Sequence, residues 1–167
     1  LILNGYQYRV IVSGVPCGAV TSNTVTLTVN TLPGIVLAAA EYYKLTPYIN
    51  STLYTTVSPA GNYTYVWYKN AFVVQAATAA TLPVTVDALG EYTVIATDVK
   101  GCSATSNRVT ISDSVSTSIF VYPNPNRGRF RVSYYSPNNS TQGYSVFIYD
   151  SKGSRVYSKQ FSIARTY

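Results

Sequence analysis

The chain contains no histidine and no methionine, and only six of its 167 residues are acidic. Without histidine there is no Ser-His-Asp triad, no Cys-His pair and no imidazole ligand for a metal. The acids are Glu41, Asp87, Glu91, Asp98, Asp113 and Asp150, spread over turns and strand ends. A carboxylate pair for glycoside hydrolysis therefore has no evident seat. Asp87, Glu91 and Asp98 could gather at one end of a fold, but calcium asks for several oxygens on one loop. Cysteine is almost as scarce. Cys17 and Cys102 cannot build a disulfide framework, and Lys100, the nearest cation to Cys102, gives only a weak reason for a depressed thiol pKa. No apolar run reaches the 18 or so residues of a membrane span, and no cofactor motif is present. Catalysis, a metal and a cofactor are accordingly not expected.

What the chain has is tyrosine, 17 of 167 residues, in short Thr/Val/Tyr runs with almost no helical periodicity. That pattern predicts an all-β fold. Two blocks repeat. Tyr8-Arg-Val-Ile-Val-Ser13 matches Tyr92-Thr-Val-Ile-Ala-Thr97, and Thr21-Ser-Asn-Thr-Val-Thr26 matches Thr105-Ser-Asn-Arg-Val-Thr110, both at an offset of 84 residues. A period of that size fits tandem β-sandwich domains rather than a solenoid. The repeat divides the chain. Residues 1–30 hold the last two strands of a domain, Tyr6–Ser13 and Val25–Val29, whose remainder is expected before Leu1. Thr31–Gly34 is a linker, residues 35–112 a complete domain of about seven strands, and Asp113–Ser118 a second, polar and softer linker. In the complete domain Tyr63, Tyr65 and Trp67 share one strand face, and Leu89-Gly-Glu-Tyr92 has the form of a tyrosine corner, which Asn4-Gly-Tyr-Gln-Tyr8 repeats. Trp67, the single tryptophan, with this corner and Gly101-Cys-Ser103, resembles the immunoglobulin-like repeats of bacterial surface proteins. Tyr42, Tyr43, Tyr48, Tyr63 and Tyr68 are candidates for stacking on sugar rings, although strand aromatics more often pair across strands.

The third segment begins with Tyr122-Pro-Asn-Pro-Asn-Arg-Gly-Arg-Phe130. Pro123 and Pro125 predict an extended approach, Asn126 and Gly128 a turn, and Phe130 and Val132 alternating with Arg129 and Arg131 a strand. Tyr144-Ser-Val-Phe-Ile-Tyr149 is a further strand, which Asp150-Ser-Lys-Gly153 turns into Arg155-Val-Tyr-Ser158. The order Y-P-N-P-x-x-G-x-F, V-x-I-Y-D-x-x-G, V-Y resembles the C-terminal sorting domain of proteins exported by the type IX secretion system of Bacteroidetes. The resemblance covers about residues 119–160. It implies a small β-sandwich over residues 119–167 in which Tyr122, Pro123, Asn124, Pro125, Gly128, Phe130, Val132, Ile148, Tyr149, Asp150 and Gly153 form the sorting motif. Family members usually continue into further strands, so this domain is expected to be incomplete, with Phe161–Tyr167 approaching the absent ones. The resemblance also implies an extracellular, outer-membrane location reached through the periplasm. The implied partners are the shuttle, translocon and sortase-like peptidase of that system.

Charge is unevenly placed. Residues 1–119 carry five basic and five acidic residues, whereas residues 120–167 carry seven basic residues against Asp150 alone. Arg127, Arg129 and Arg131 are therefore expected to form a basic docking face for an acidic partner or lipopolysaccharide phosphates, in preference to nucleic acid. Asp113-Ser-Val115 resembles the O-glycosylation acceptor of Bacteroidetes and makes Ser114 a candidate sugar site. Two functions fit: a non-enzymatic stalk or adhesin with a terminal sorting signal, contacting neighbouring copies or surface glycans, and the spacer of an exported hydrolase whose catalytic domain precedes Leu1.

Overall fold

The structure, a computed structural model, describes residues 2–77, 79–136 and 142–163. Short β-branched and aromatic runs cut by Gly, Pro and Asn yield strands almost throughout. In chain order they are β1 (Gln7–Tyr8), β2 (Ile11–Val12), β3 (Val20–Thr21), β4 (Val25–Thr26), β5 (Gly34–Ala39), β6 (Lys44–Leu45), β7 (Ser51–Ser58), β8 (Tyr63–Lys69), β9 (Phe72–Ala77), β10 (Thr81–Val84), β11 (Gly90–Asp98), β12 (Ser103–Thr105), β13 (Val109–Asp113), β14 (Ile119–Tyr122), β15 (Arg131–Tyr134), β16 (Gln142–Tyr149) and β17 (Arg155–Ile163). One turn of 3-10 helix, Val86–Ala88, precedes β11.

Strands β5 to β13 form a sandwich. One sheet has the order β10-β7-β5, the other β6-β13-β11-β8-β9 with β12 also paired to β11. All pairings are antiparallel except β13 with β6. Alternation supplies each sheet with one apolar face. Leu37, Ala39, Leu53 and Val84 from the first sheet meet Leu45, Tyr65, Trp67, Tyr92, Val94, Ala96, Val109 and Ile111 from the second, and all are buried. Trp67 is fully enclosed and its Nε1–H donates to the Ala79 carbonyl at 3.2 Å. The Tyr92 hydroxyl donates to the Ala88 carbonyl four residues earlier, tying the 3-10 turn to the start of β11. Burial alone raises the Tyr92 pKa above the ordinary phenol value.

The Thr-Ser-Asn blocks act through hydrogen bonds. Val94 N–H donates to Ser106 Oγ at 3.1 Å, and Ser106 N–H to the Val94 carbonyl at 2.9 Å. Asn107 then bridges the sheets: its Oδ1 accepts from Leu37 N–H at 2.8 Å and its Nδ2 donates to the Leu37 carbonyl at 2.9 Å. One side chain thereby replaces a ladder step between β13 and β5. The same bonds recur at the other copy, where Val10 N–H donates to Ser22 Oγ at 2.9 Å and Ser22 N–H to the Val10 carbonyl at 2.8 Å.

Residues 2–30 differ from the two strands expected there. They form two short ladders, β1 with β4 and β2 with β3. Tyr8, Val10, Val12 and Val25 align with the buried Tyr92, Val94, Ala96 and Val109, yet are exposed. A second tyrosine corner is not formed, since a corner needs a facing sheet to press its ring inward. Asn4 Oδ1 instead accepts from Val29 N–H at 2.9 Å. At the first joint Pro33 is buried and Lys100 Nζ donates to Asn30 Oδ1 at 3.1 Å. At the second, β13 runs through Asp113 and Ser114 N–H donates to the Leu45 carbonyl at 2.8 Å. The polar joint thus begins at Val115, two residues later than expected, because β6 extends the pairing.

Truncating Trp67 to Ala should remove about 3–5 kcal/mol from the sandwich, the usual cost of a buried aromatic. Denaturant unfolding of wild type and variant measures this. Native Trp67 emission should be blue-shifted and move red on unfolding; water-like native emission would contradict the packing described.

Candidate functional site

Downstream of Val115 the chain forms two hairpin-like pairs. Strand β14 pairs with β15 from Ile119↔Tyr134 to Tyr122↔Arg131, and β16 pairs with β17 from Gln142↔Ile163 to Tyr149↔Arg155. The turns follow from side-chain chemistry. Asn126 Oδ1 accepts from Gly128 N–H at 2.9 Å, and Gly128 adopts φ of 88°, a left-handed conformation that costs a side chain but not glycine. In the second turn Asp150 Oδ1 accepts from Lys152 and Ser154 N–H groups at 2.9 and 2.8 Å, while Gly153 takes φ of 82°. The sandwich uses the same device: Asp98 Oδ1 accepts from Lys100 and Cys102 N–H, both at 2.8 Å, with Gly101 at φ of 84°. Cys102 therefore belongs to a capped turn.

The motif residues separate into three places. Gly128, Phe130, Val132, Ile148 and Tyr149 line one apolar cleft of about 1310 Å³ between the two strand pairs, with Ile119, Val121, Val146 and Tyr157 among the other walls. Phe130, Val132, Val146 and Ile148 thus line an open cleft, and Phe130 is 41% exposed. Two sheets of two strands each are too narrow to close over it. Asp150 and Gly153 sit at the far hairpin tip. Tyr122 points elsewhere, and Pro123, Asn124 and Pro125 are exposed in a bend. The extended approach expected at 123–125 is replaced by this bend, and the strand expected from Phe130 begins at Arg131. Of residues 161–167, those at 164–167 lie outside the described residues.

The basic face is also divided. Arg127 and Arg129 are exposed. Arg131 Nη1 instead pairs with Asp87 Oδ2 of the sandwich at 2.8 Å, because β15 brings it alongside the turn before β11. Glu91 pairs with Arg108 at 3.1 Å, so two of the three acids considered for calcium are in ion pairs, and Asp98 caps its turn. Among the described residues no cluster of metal ligands is found, and no helix is long and apolar enough to cross a membrane. Ser114 is half-buried just after the paired end of β13.

Two groups escaped sequence reasoning. Tyr48 Oη donates to the Val121 carbonyl, and its ring lies 5.5 Å from Phe120 and 5.9 Å from Tyr122 between centroids. Alternation along β14 thus sends Ile119 and Val121 to the cleft and Phe120 and Tyr122 to the sandwich side. Tyr48 has φ of 76° at the third position of the turn Thr46–Ile49, closed by Ile49 N–H to the Thr46 carbonyl at 3.0 Å. Glycine is preferred there, and a bulky side chain costs on the order of 1 kcal/mol. Nothing in the local sequence marks the partner of this turn.

The second group joins the strand pairs. Tyr134 and Tyr144 rings meet edge to face at 4.8 Å, and Ser136 Oγ lies 2.8 Å from Tyr144 Oη. Burial, with the Tyr144 hydroxyl beside it, pushes the Tyr134 pKa up to about 12. The folded value lies above the unfolded one, so the contribution to stability is intact below pH 10, the ordinary tyrosine value, and is lost as pH rises toward 12. A phenolate absorbance titration should show late-ionising tyrosines that include Tyr92 and Tyr134, and Tyr134→Phe should reduce the late amplitude by one tyrosine. An unchanged titration would contradict the assignment.

Residues 120–167 match the family model described as the secretion system C-terminal sorting domain. No curated protein matches the chain. Residues 120–167 are therefore matched as a type IX secretion C-terminal sorting domain, a tail that implies export and attachment at the cell surface.

Proposed function

We propose that this chain is the stalk and sorting region of a non-enzymatic surface protein, with residues 119–167 docking to the outer-membrane machinery of type IX secretion and being removed by its sortase-like peptidase. The family match at 120–167 carries the reading. The strand order β10-β7-β5 facing β6-β13-β11-β8-β9 supports an immunoglobulin-like spacer, and the repeated Ser22 and Ser106 hydrogen bonds support a tandem array. The joint at 115–118 is polar, short and next to the folded motif, which suits cleavage. Exposed Arg127 and Arg129 supply the positive charge that an acidic partner would meet.

The sorting reading is tested by fusing the terminal domain to a periplasmic reporter. The native sequence should carry the reporter to the cell surface. With Pro123, Asn124, Pro125 and Gly128 all changed to Ala, the turn loses its fixed φ angles and its left-handed glycine, and surface display should fall to background. Undiminished display would place the signal elsewhere.

A further inference from the structure

We propose that the sandwich carries a docking surface for the first strand of the sorting domain, built from Tyr48 and Asp87, and that this contact restrains the motion of the mostly exposed joint at 115–118 until another partner takes up that strand. The occupant is Phe120–Tyr122 of β14 together with Arg131 of β15. Two separate parts of the sandwich reach it. Tyr48 donates its hydroxyl to the Val121 carbonyl and packs its ring against Phe120 and Tyr122. From the turn before β11, Asp87 accepts from Arg131 Nη1 at 2.8 Å.

Tyr48 gives the sandwich itself little. Its side chain is 57% exposed, it lies outside the buried core, and it occupies a turn position where glycine would fit better. Strained residues of this kind persist where they serve a contact beyond their own turn. The contact that Tyr48 serves is the sorting strand. An exposed ion pair adds little binding energy by itself, so Asp87–Arg131 sets orientation while the three aromatic rings supply the contact area. Docking occupies the Val121 carbonyl and half-buries Phe120, while Tyr122, the first residue of the sorting motif, meets the Tyr48 ring edge to face and stays exposed. A receptor that engages the half-buried face of Phe120 must displace Tyr48, which releases the joint from this restraint and favours its cleavage. That consequence rests on the sorting reading; the docking itself does not.

The test uses the full chain and limited proteolysis with a broad-specificity protease. Tyr48→Gly removes the ring and relieves the turn. Unfolding of the sandwich, followed by Trp67 emission, should be unchanged or shifted to higher denaturant, while cleavage at 115–118 rises about fivefold or more. Arg131→Gln should raise cleavage less, and exchanging the charges by Asp87→Arg with Arg131→Asp should return it toward wild type. Unchanged cleavage in Tyr48→Gly overturns the proposal. A less stable sandwich in that variant also overturns it, since Tyr48 would then serve its own domain. No export machinery enters this measurement, so its failure and that of the reporter experiment are distinguishable.

Discussion

Period-two alternation gives each strand here one apolar face, and such a face is stable only when a second sheet covers it. Between Gly34 and Asp113 both sheets exist. Trp67 presses against residues from both of them, and the alternating positions of β5, β7, β8, β10, β11 and β13 are buried as a consequence. Elsewhere the same chemistry is present without the cover. Tyr8, Val10, Val12 and Val25 repeat the residue types of Tyr92, Val94, Ala96 and Val109 but remain exposed. Ile119, Val132, Val146 and Ile148 line a cleft in place of filling a core. Residue identity is thus nearly constant, and sheet number decides what is inside.

Where the ladders end, single polar side chains finish them. Asn107 supplies both a donor and an acceptor to Leu37 across the sandwich, and Ser106 takes the N–H of Val94, which would otherwise be unpaired. An unsatisfied buried N–H costs about 1–3 kcal/mol, so the Thr-Ser-Asn block recurs where a strand must leave its neighbour. Asp98 and Asp150 do the same for the hairpin tips, each taking two N–H groups on one oxygen. Polar residues that would be ambiguous in isolation acquire fixed roles from the backbone groups that strand ends leave over.

The sandwich was legible because its signals are local. Tyr63-Thr-Tyr-Val-Trp67 alternates cleanly, and Leu89-Gly-Glu-Tyr92 needs only a hydroxyl reaching back four residues. What could not be read depends on contacts distant in sequence. Tyr48 and Val121 are 73 residues apart, and Arg131 and Asp87 are 44 apart, so neither pairing leaves a periodic trace. Arg131 looked like its neighbours Arg127 and Arg129 because all three are basic, but only Arg131 lies in a paired strand. The boundary at 113 moved because β6, two residues long, is too short to announce itself, yet it extends β13 by pairing. The bend at 123–125 was missed because proline restricts φ and leaves open which way the chain turns afterwards.

An open terminal domain is a physical consequence with a use. A core of so few strands is marginal on its own, and unpaired edges invite another strand or side chain. In this structure the sandwich meets part of that demand: Tyr48 takes the Val121 carbonyl and packs against Phe120 and, edge to face, Tyr122, leaving the cleft on the opposite side of β14 uncovered. The two sides differ in chemistry. The sandwich side is aromatic and held by one ion pair; the cleft is lined by aliphatic and aromatic side chains with Arg129 among them. A binding partner entering the cleft therefore meets β14 from one side while the sandwich holds it from the other. If both press on the same four-residue strand, occupancy of one side changes the position of the other, and reciprocity follows from thermodynamic linkage. A sorting signal built this way would be coupled to its cargo through β14, with the alternation of Ile119, Phe120, Val121 and Tyr122 as the hinge between them.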